Sequence, residues 1–219
     1  MNNLKEENLV EESVSTTSGD VFVPKVQLVL VTHNPGDWLE EVLLGIAAQD
    51  YKFLDITVVD TTRRISIEEQ VKSILPESNI LHLKSSPGFS ALTPKNLDTN
   101  EKHLFYFFVT DDLVLDATAV RRVVESALEF NAGVVGLKVL GGESTELLQE
   151  VGSSVDRYGT TVSRHQPNEI DQGQYDGKRE VFASSSSAFL VRRDLFETIG
   201  GFDPLLGLVD GHTDLCWRA

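Results

Sequence analysis

The stretch LFYFFVTDDLVLD, Leu104 to Asp116, decides how this chain is read. An apolar, aromatic-rich run of strand length ends abruptly in two adjacent acids, Asp111 and Asp112. Without polar alternation, such a run fits a strand buried on both faces, the setting of a parallel sheet covered by helices on each side. Two carboxylates at its tip are costly to bury unless a cation neutralises them. The stretch DATAVRRVVESALEF (116–130) follows with helical patterning, and GVVGLKVL (133–140) then reads as a further strand.

The same alternation extends toward the N-terminus. KVQLVLVT (Lys25–Thr32) is a continuous β-branched and leucine run, HNPGD supplies turn chemistry, and DWLEEVLLGIAAQ has helical spacing at Trp38, Val42, Ile46 and Gln49. Asp37 is placed to cap that helix. FLDITVVD (53–60) reads as a strand, SIEEQVKSIL (66–75) as a helix opened by Ser66 with Glu69 three residues on, and NILHLK (79–84) as another strand. Strands alternating with helices imply stacked βαβ units and a doubly wound α/β sheet. Residues 1–22 are polar, acidic and rich in Ser and Thr, and are expected to form a disordered leader ahead of a single domain over 23–219. Within that domain the regular α/β half is expected over about residues 23–140 and a second half over about 141–219. From Glu150 to Arg193 the composition shifts to Gly, Ser, Asp and short β-like runs, which predicts irregular hairpins. SAFLVRR is then a strand, RDLFETIG a short helix, and DLCWRA the first turn of an amphipathic helix, as if the chain continued.

Composition excludes several functions. A net charge of −15 over 219 residues argues against nucleic-acid binding and against docking on an anionic bilayer. One cysteine, Cys216, permits no intrachain disulfide and suits a cytoplasmic setting. No apolar run reaches the length of a membrane span. Ligands of open α/β sheets bind beyond the carboxyl ends of the strands. Three groups stand at such ends: Thr32-His33-Asn34, Asp60-Thr61-Thr62 and Asp111-Asp112. A hard cation, Mn²⁺ or Mg²⁺, suits one or two carboxylates completed by phosphate oxygens and water. The alternative is that Asp111 caps the following turn and Asp112 is solvated.

Five motifs in order, LVLVTHNPGDWLEEVLLGIAAQDY, ITVVDTT, FFVTDDLVLDATAV, SSAFLVRRDLFETIGGFDPLL and DLCWR, resemble the family 2 glycosyltransferases of the GT-A fold. The likeness runs over residues 25–219 and is strongest to actinobacterial members, in which the catalytic domain belongs to a longer polypeptide. It implies a Rossmann-like, mostly parallel sheet flanked by helices, with an irregular acceptor-side second half. By this resemblance Thr32 and Asn34 meet the nucleotide, Asp60 reads its base, and Gly88-Phe89 and Asn96 run beneath it. Asp111 and Asp112 match the metal motif, with Asp112 the direct ligand, and SSSSAFLVRR lines the acceptor side. The implied reaction is inverting transfer of a sugar from a nucleoside-diphosphate sugar to a glycan or lipid-linked acceptor in cell-envelope polysaccharide synthesis. The full-length protein would work in the cytoplasm or on the cytoplasmic face of the membrane, reaching the membrane through a C-terminal continuation.

The resemblance breaks where the family places its general base. In VDGHTDLCWRA, Gly211 and His212 stand at the positions of an expected acidic pair. His212 could serve as base; Asp210 or Asp214 could swing in; or the domain binds nucleotide sugar without efficient transfer, as a scaffold in a larger assembly protein. Smaller departures are Arg63 and Arg64 in place of small residues, Leu113 after the acids, and Pro94, which is expected to shorten or kink a helix. His33, His82, His103 and His165 lack metal-ligand spacing and read as structural or solvated. Ser184–Ser187 lacks the turn of a nucleophile elbow, and Cys216 reads as core. A nucleotidyltransferase would need a glycine- and lysine-rich first loop, which THNPGDW is not.

Overall fold

The structure, a computed structural model, describes residues 23–62, 66–83, 88–97, 102–141, 146–206 and 211–219. The strands β1 (Val26–Thr32), β2 (Leu54–Asp60), β3 (Asn79–His82), β4 (Phe105–Thr110) and β5 (Val134–Gly136) join β10 (Ala188–Arg192) in one six-stranded sheet of order β3-β2-β1-β4-β10-β5. The pairs among β1, β2, β3 and β4 are parallel, and β10 runs antiparallel to both of its neighbours. This is the mostly parallel α/β sheet that the strand–helix alternation predicts.

Both faces of the sheet are covered, which is why its strands carry apolar residues at successive positions. On one face Val26, Leu28 and Leu30 of β1 and Phe105, Phe107 and Val109 of β4 meet helices α1 (Leu39–Ala47), α2 (Glu68–Ile74) and α4 (Ala119–Phe130). On the other, Val29 and Val31 of β1 and Tyr106 and Phe108 of β4 pack with Phe89, Phe189, Phe196 and Phe202. Phe108 is the hub of this aromatic layer, with Phe189, Phe196 and Phe202 centroids 5.2–5.4 Å away. The short helices α3 (Pro94–Leu97) and α5 (Arg193–Thr198), with α6 (Gly211–Arg218), belong to this side of the molecule.

Three local expectations are corrected. Asp37 does not cap α1: the helix starts at Leu39, and Trp38 precedes it without a side-chain bond. Ser66 reaches the Glu68 N–H at 3.3 Å, one residue short of a capping box, because α2 starts at Glu68 behind Ile67. Pro94 does not interrupt a helix but opens α3, where its missing N–H has no intrahelical acceptor to lose. The stretch 133–140 also divides. The Leu137 N–H turns to the Ser185 hydroxyl at 3.2 Å, and the chain leaves the sheet after β5 to form β6 (Val139–Gly141). Beyond it lie the hairpin of β6 with β7 (Leu147–Glu150) and that of β8 (Ser153–Val155) with β9 (Thr161–Ser163), the irregular second half. His103 is buried against Asp55 at 2.7 Å, and the His165 ring contacts the carbonyls of Gln149 and Gln166, so both are structural. No described helix is long and apolar enough to cross a membrane.

Candidate functional site

Parallel pairing in register brings the carboxyl ends of β1, β2 and β4 to one edge, with Thr32 opposite Asp60 and Val31 opposite Thr110. The antiparallel β10 delivers its N-terminal end to the same edge, where Ala188 pairs with Val109. Thr32, His33, Asn34, Asp60, Asp111, Asp112 and the serines before Ala188 therefore gather from distant parts of the sequence.

The acidic turn is held from two sides. Thr110 donates its hydroxyl to Oδ1 of Asp112 at 2.5 Å, while the Thr110 N–H bonds the Ser187 carbonyl at 2.9 Å. The His33 N–H donates to Oδ2 of Asp111 at 3.1 Å. Burial pushes the Asp111 carboxyl above the ordinary aspartate range, and the adjacent Asp112 charge adds to the rise against the His33 N–H. Asp112 is exposed. A cation here would relieve the charge crowding on Asp111, and the all-oxygen donors suit Mn²⁺ or Mg²⁺. Among the described residues no group of three or more His, Cys, Asp or Glu is disposed around a metal, so the rest of a coordination shell would come from ligand and water. The pair thus fits a cation shared with a diphosphate better than a resident structural metal.

The first loop is ordered by a chain of hydrogen bonds. Thr61 donates its single hydroxyl proton to the Thr32 carbonyl at 2.7 Å, so its oxygen accepts from Nδ1–H of His33 at 3.0 Å. Nε2 of His33 is thereby left to accept from the Asn34 amide at 3.3 Å, which assigns the neutral Nδ1–H tautomer. Asn34 holds a left-handed backbone with φ 51°. His33 and Asn34 are exposed, whereas Thr32 is wholly buried and can reach a ligand only after rearrangement.

Asp60 is also withdrawn, at 3% exposure. Its Oδ1 accepts the Thr62 N–H at 2.8 Å and hydroxyl at 2.6 Å, and Nδ1 of His82 lies 3.3 Å from Oδ2. Gly88 leads into a 3₁₀ turn, Phe89–Ala91, whose Phe89 joins the aromatic layer. Asn96 closes the start of α3, with Oδ1 accepting the Thr93 N–H at 2.8 Å.

The three candidates for the general base fare differently. Asp210 lies outside the described residues, as do Arg63 and Arg64. Asp214 is paired with Arg218, whose guanidinium also binds the carbonyls of Ile199 and Gly201 and so ties α6 to the end of α5. His212 is 4% exposed, tilted on Phe189 at 4.5 Å, with Nε2 2.9 Å from the Ser184 hydroxyl and 3.4 Å from the Cys216 sulfur. Burial pulls its pKa down to about 4. It is a neutral, enclosed imidazole, and its burial against Ser184 and Phe189, not its basicity, keeps it from an incoming hydroxyl. Cys216 is half-buried rather than core, and burial raises its thiol pKa.

Glu150 was missed in the sequence. Its carboxylate reaches the same edge from β7, accepting the Ser186 hydroxyl at 2.7 Å and the Ser187 N–H at 3.2 Å. A lone acid inside a Gly- and Ser-rich hairpin carries no local signal of this placement.

No protein-family model and no curated protein matches the chain. Solved structures do resemble it, and those named here are glycosyltransferases. TarS 1-349 of S. aureus matches with TM-score 0.61 at 17% identity, over 88% of this chain and 55% of that one. The mannosyltransferase PcManGT from Pyrobaculum calidifontis, solved with GDP-Man and Mn²⁺, matches with TM-score 0.59 at 16% identity, over 88% and 51%. GalNAc-T7, solved with UDP, GalNAc and Mn²⁺, matches with TM-score 0.64 at 14% identity, over 89% and 40%. The chain thus spans about half the length of these structures or less. At such identities the likeness lies in the fold, and the fold of this chain is that of the GT-A glycosyltransferases.

Proposed function

We propose that the chain is the catalytic domain of a metal-dependent, inverting family 2 glycosyltransferase, which moves a sugar from a nucleoside diphosphate to a glycan or lipid-linked hydroxyl. The observation that carries this reading is the acidic turn at the carboxyl end of β4, at the edge where β1, β2 and β10 converge. Asp112 and Asp111 would hold the divalent cation, whose charge offsets that of the departing diphosphate when it is bound. Thr110 fixes one oxygen of the exposed Asp112, and the His33 N–H orients Asp111. Exposed His33 and Asn34 line the approach, and withdrawn Asp60 becomes available to a nucleobase once His82 moves aside. The complexes of the fold neighbours support this reading: S. aureus TarS with UDP and with UDP-GlcNAc, PcManGT with GDP-Man and Mn²⁺. A cytoplasmic site of action, on the membrane face in the full-length protein, is part of the proposal.

Calorimetric titration of UDP, GDP and dTDP with and without Mn²⁺ tests it. At least one nucleotide should bind with Mn²⁺ present, and Asp112→Ala should weaken that binding by about tenfold or more, the loss of one charged contact. Unchanged binding in Asp112→Ala sinks the proposal. A second reading, a nucleotide-sugar-binding domain without turnover, is favoured by the enclosure of His212. It predicts the same metal-dependent binding with no cleavage of any donor.

A further inference from the structure

Among the described residues Glu150 is a carboxylate without a cationic partner. It is half-buried, and among the described residues no Lys, Arg or His pairs with it; its partners are the Ser186 hydroxyl and the Ser187 N–H. An ionised carboxylate offers about four acceptor positions, so two are left open. The hydrogen bonds also fix where it stands. Ser187 joins Glu150 through its N–H and Thr110 through its carbonyl, and Thr110 holds Asp112. Ser187 and Thr110 thus link Glu150 to Asp112, on the side of β10 rather than of the first loop.

We propose that Glu150 is the general base of this site, filling the role left open by Gly211 and His212; this rests on the glycosyl-transfer reading above. The acceptor hydroxyl gives its proton to the free lone pairs of the Glu150 carboxylate. Its oxygen forms the bond to the anomeric carbon of the donor sugar. The bond from that carbon to the diphosphate oxygen breaks, and its electron pair leaves with the nucleoside diphosphate. The proton on Glu150 then passes to water. Two hydrogen bonds, from the Ser186 hydroxyl and the Ser187 N–H, hold the carboxylate in place. The other described acids and bases nearby are spoken for: Asp214 by Arg218, His212 by Ser184 and Phe189.

The test is transfer to water, which needs no identified acceptor. UDP-, GDP- and dTDP-sugars are incubated with Mn²⁺ and the wild-type, Glu150→Gln and Glu150→Ala chains. Nucleotide–Mn²⁺ affinity is measured alongside. Both variants should lose about a hundredfold or more in donor hydrolysis, the usual contribution of a positioned base. Their nucleotide affinity should stay within about twofold of wild type, and added formate should restore hydrolysis to Glu150→Ala by about tenfold, since a small base fills the vacated space. Retention of more than a tenth of the activity in either variant overturns the assignment. Failure of formate rescue, or a parallel loss of nucleotide affinity, also overturns it, because Glu150 is then a clasp for the serine turn. A wild-type chain that binds nucleotide with Mn²⁺ yet cleaves no donor overturns the base while leaving the donor site standing. One that binds no nucleotide overturns both.

Discussion

His212 shows how a single substitution changes the physics of a position. At the start of α6 the resemblance calls for an acidic pair; here an imidazole folds inward onto Phe189 and Ser184. Burial lowers its pKa from 6.5 to about 4, so the folded protein resists protonation that the unfolded chain accepts. Below pH 6.5 the unfolded state therefore binds more protons, and stability falls as pH drops toward 4, then levels once both states are charged. The shift corresponds to roughly 3 kcal/mol over that window. Urea unfolding at pH 7 and pH 4.5 should show a larger loss for wild type than for His212→Gln, which keeps a partner for Ser184 without a titrating ring. Equal losses would mean that the imidazole is already solvated. The sequence displays the Gly211-His212 departure plainly, but not the burial that encloses His212. Nor does it display Glu150, whose bonds to Ser186 and Ser187 span 36 and 37 residues. A Cβ added at Gly211 would meet nothing within 4 Å, so an acid there is sterically open.

Elements were legible where burial is two-sided and local. β1, β2, β4 and β10 match their apolar runs to within a residue or two, because apolar stretches bounded by turn residues leave few other solutions. The run 133–140 was misread as one strand because its interruption is made from afar, by Ser185 taking the Leu137 N–H and by Lys138 reaching Asp171 at 2.6 Å and Asp176. The junction of α5 with α6 is another long-range construction. Gly201 has φ +74°, its carbonyl accepts from Arg218, and a Cβ there would stand 2.8 Å from Cδ of Pro94 and 3.1 Å from the Phe196 ring. Neither a proline ring nor a ring packed in the aromatic layer yields easily. Gly201→Ala should cost about 1–3 kcal/mol for the backbone conformation, and more for the contact. Gly159, with φ +84° and nothing within 4 Å, isolates the first of these terms. Chemical denaturation of the two alanine variants should place Gly201→Ala clearly below Gly159→Ala. Comparable losses would show that α3 and α5 adjust freely around the turn.

The molecule as a whole joins a strongly acidic chain to a site proposed for an anionic ligand. The alternation of strands and helices disclosed the sheet, and the sheet dictates which edge collects Asp60, Asp111 and Asp112. The proposed acceptor side was not legible, because residues 139–163 form hairpins whose positions depend on contacts such as the Ser153 N–H to the Ala183 carbonyl at 2.8 Å. With a net charge of −15 and adjacent carboxylates at the proposed donor site, a nucleoside diphosphate alone meets repulsion. Mn²⁺ alone meets two carboxylates and an incomplete shell. Each component supplies what the other lacks, so their effects on stability should be cooperative. A ligand at a hundred times its dissociation constant stabilises the folded state by about 2.7 kcal/mol. For a domain of this size that raises the melting temperature by roughly 5–10 °C. In thermal melts UDP or GDP with Mn²⁺ should therefore shift the midpoint by several degrees, while the sum of the separate shifts stays near 1–2 °C, roughly what weak one-component binding yields. Raising the salt concentration should not weaken the nucleotide-only shift, since it screens a repulsion, and should reduce the combined shift, because the charge of exposed Asp112 is screened. A shift from nucleotide alone as large as from the pair would detach the acidic turn from diphosphate binding and move the donor site elsewhere on the sheet edge.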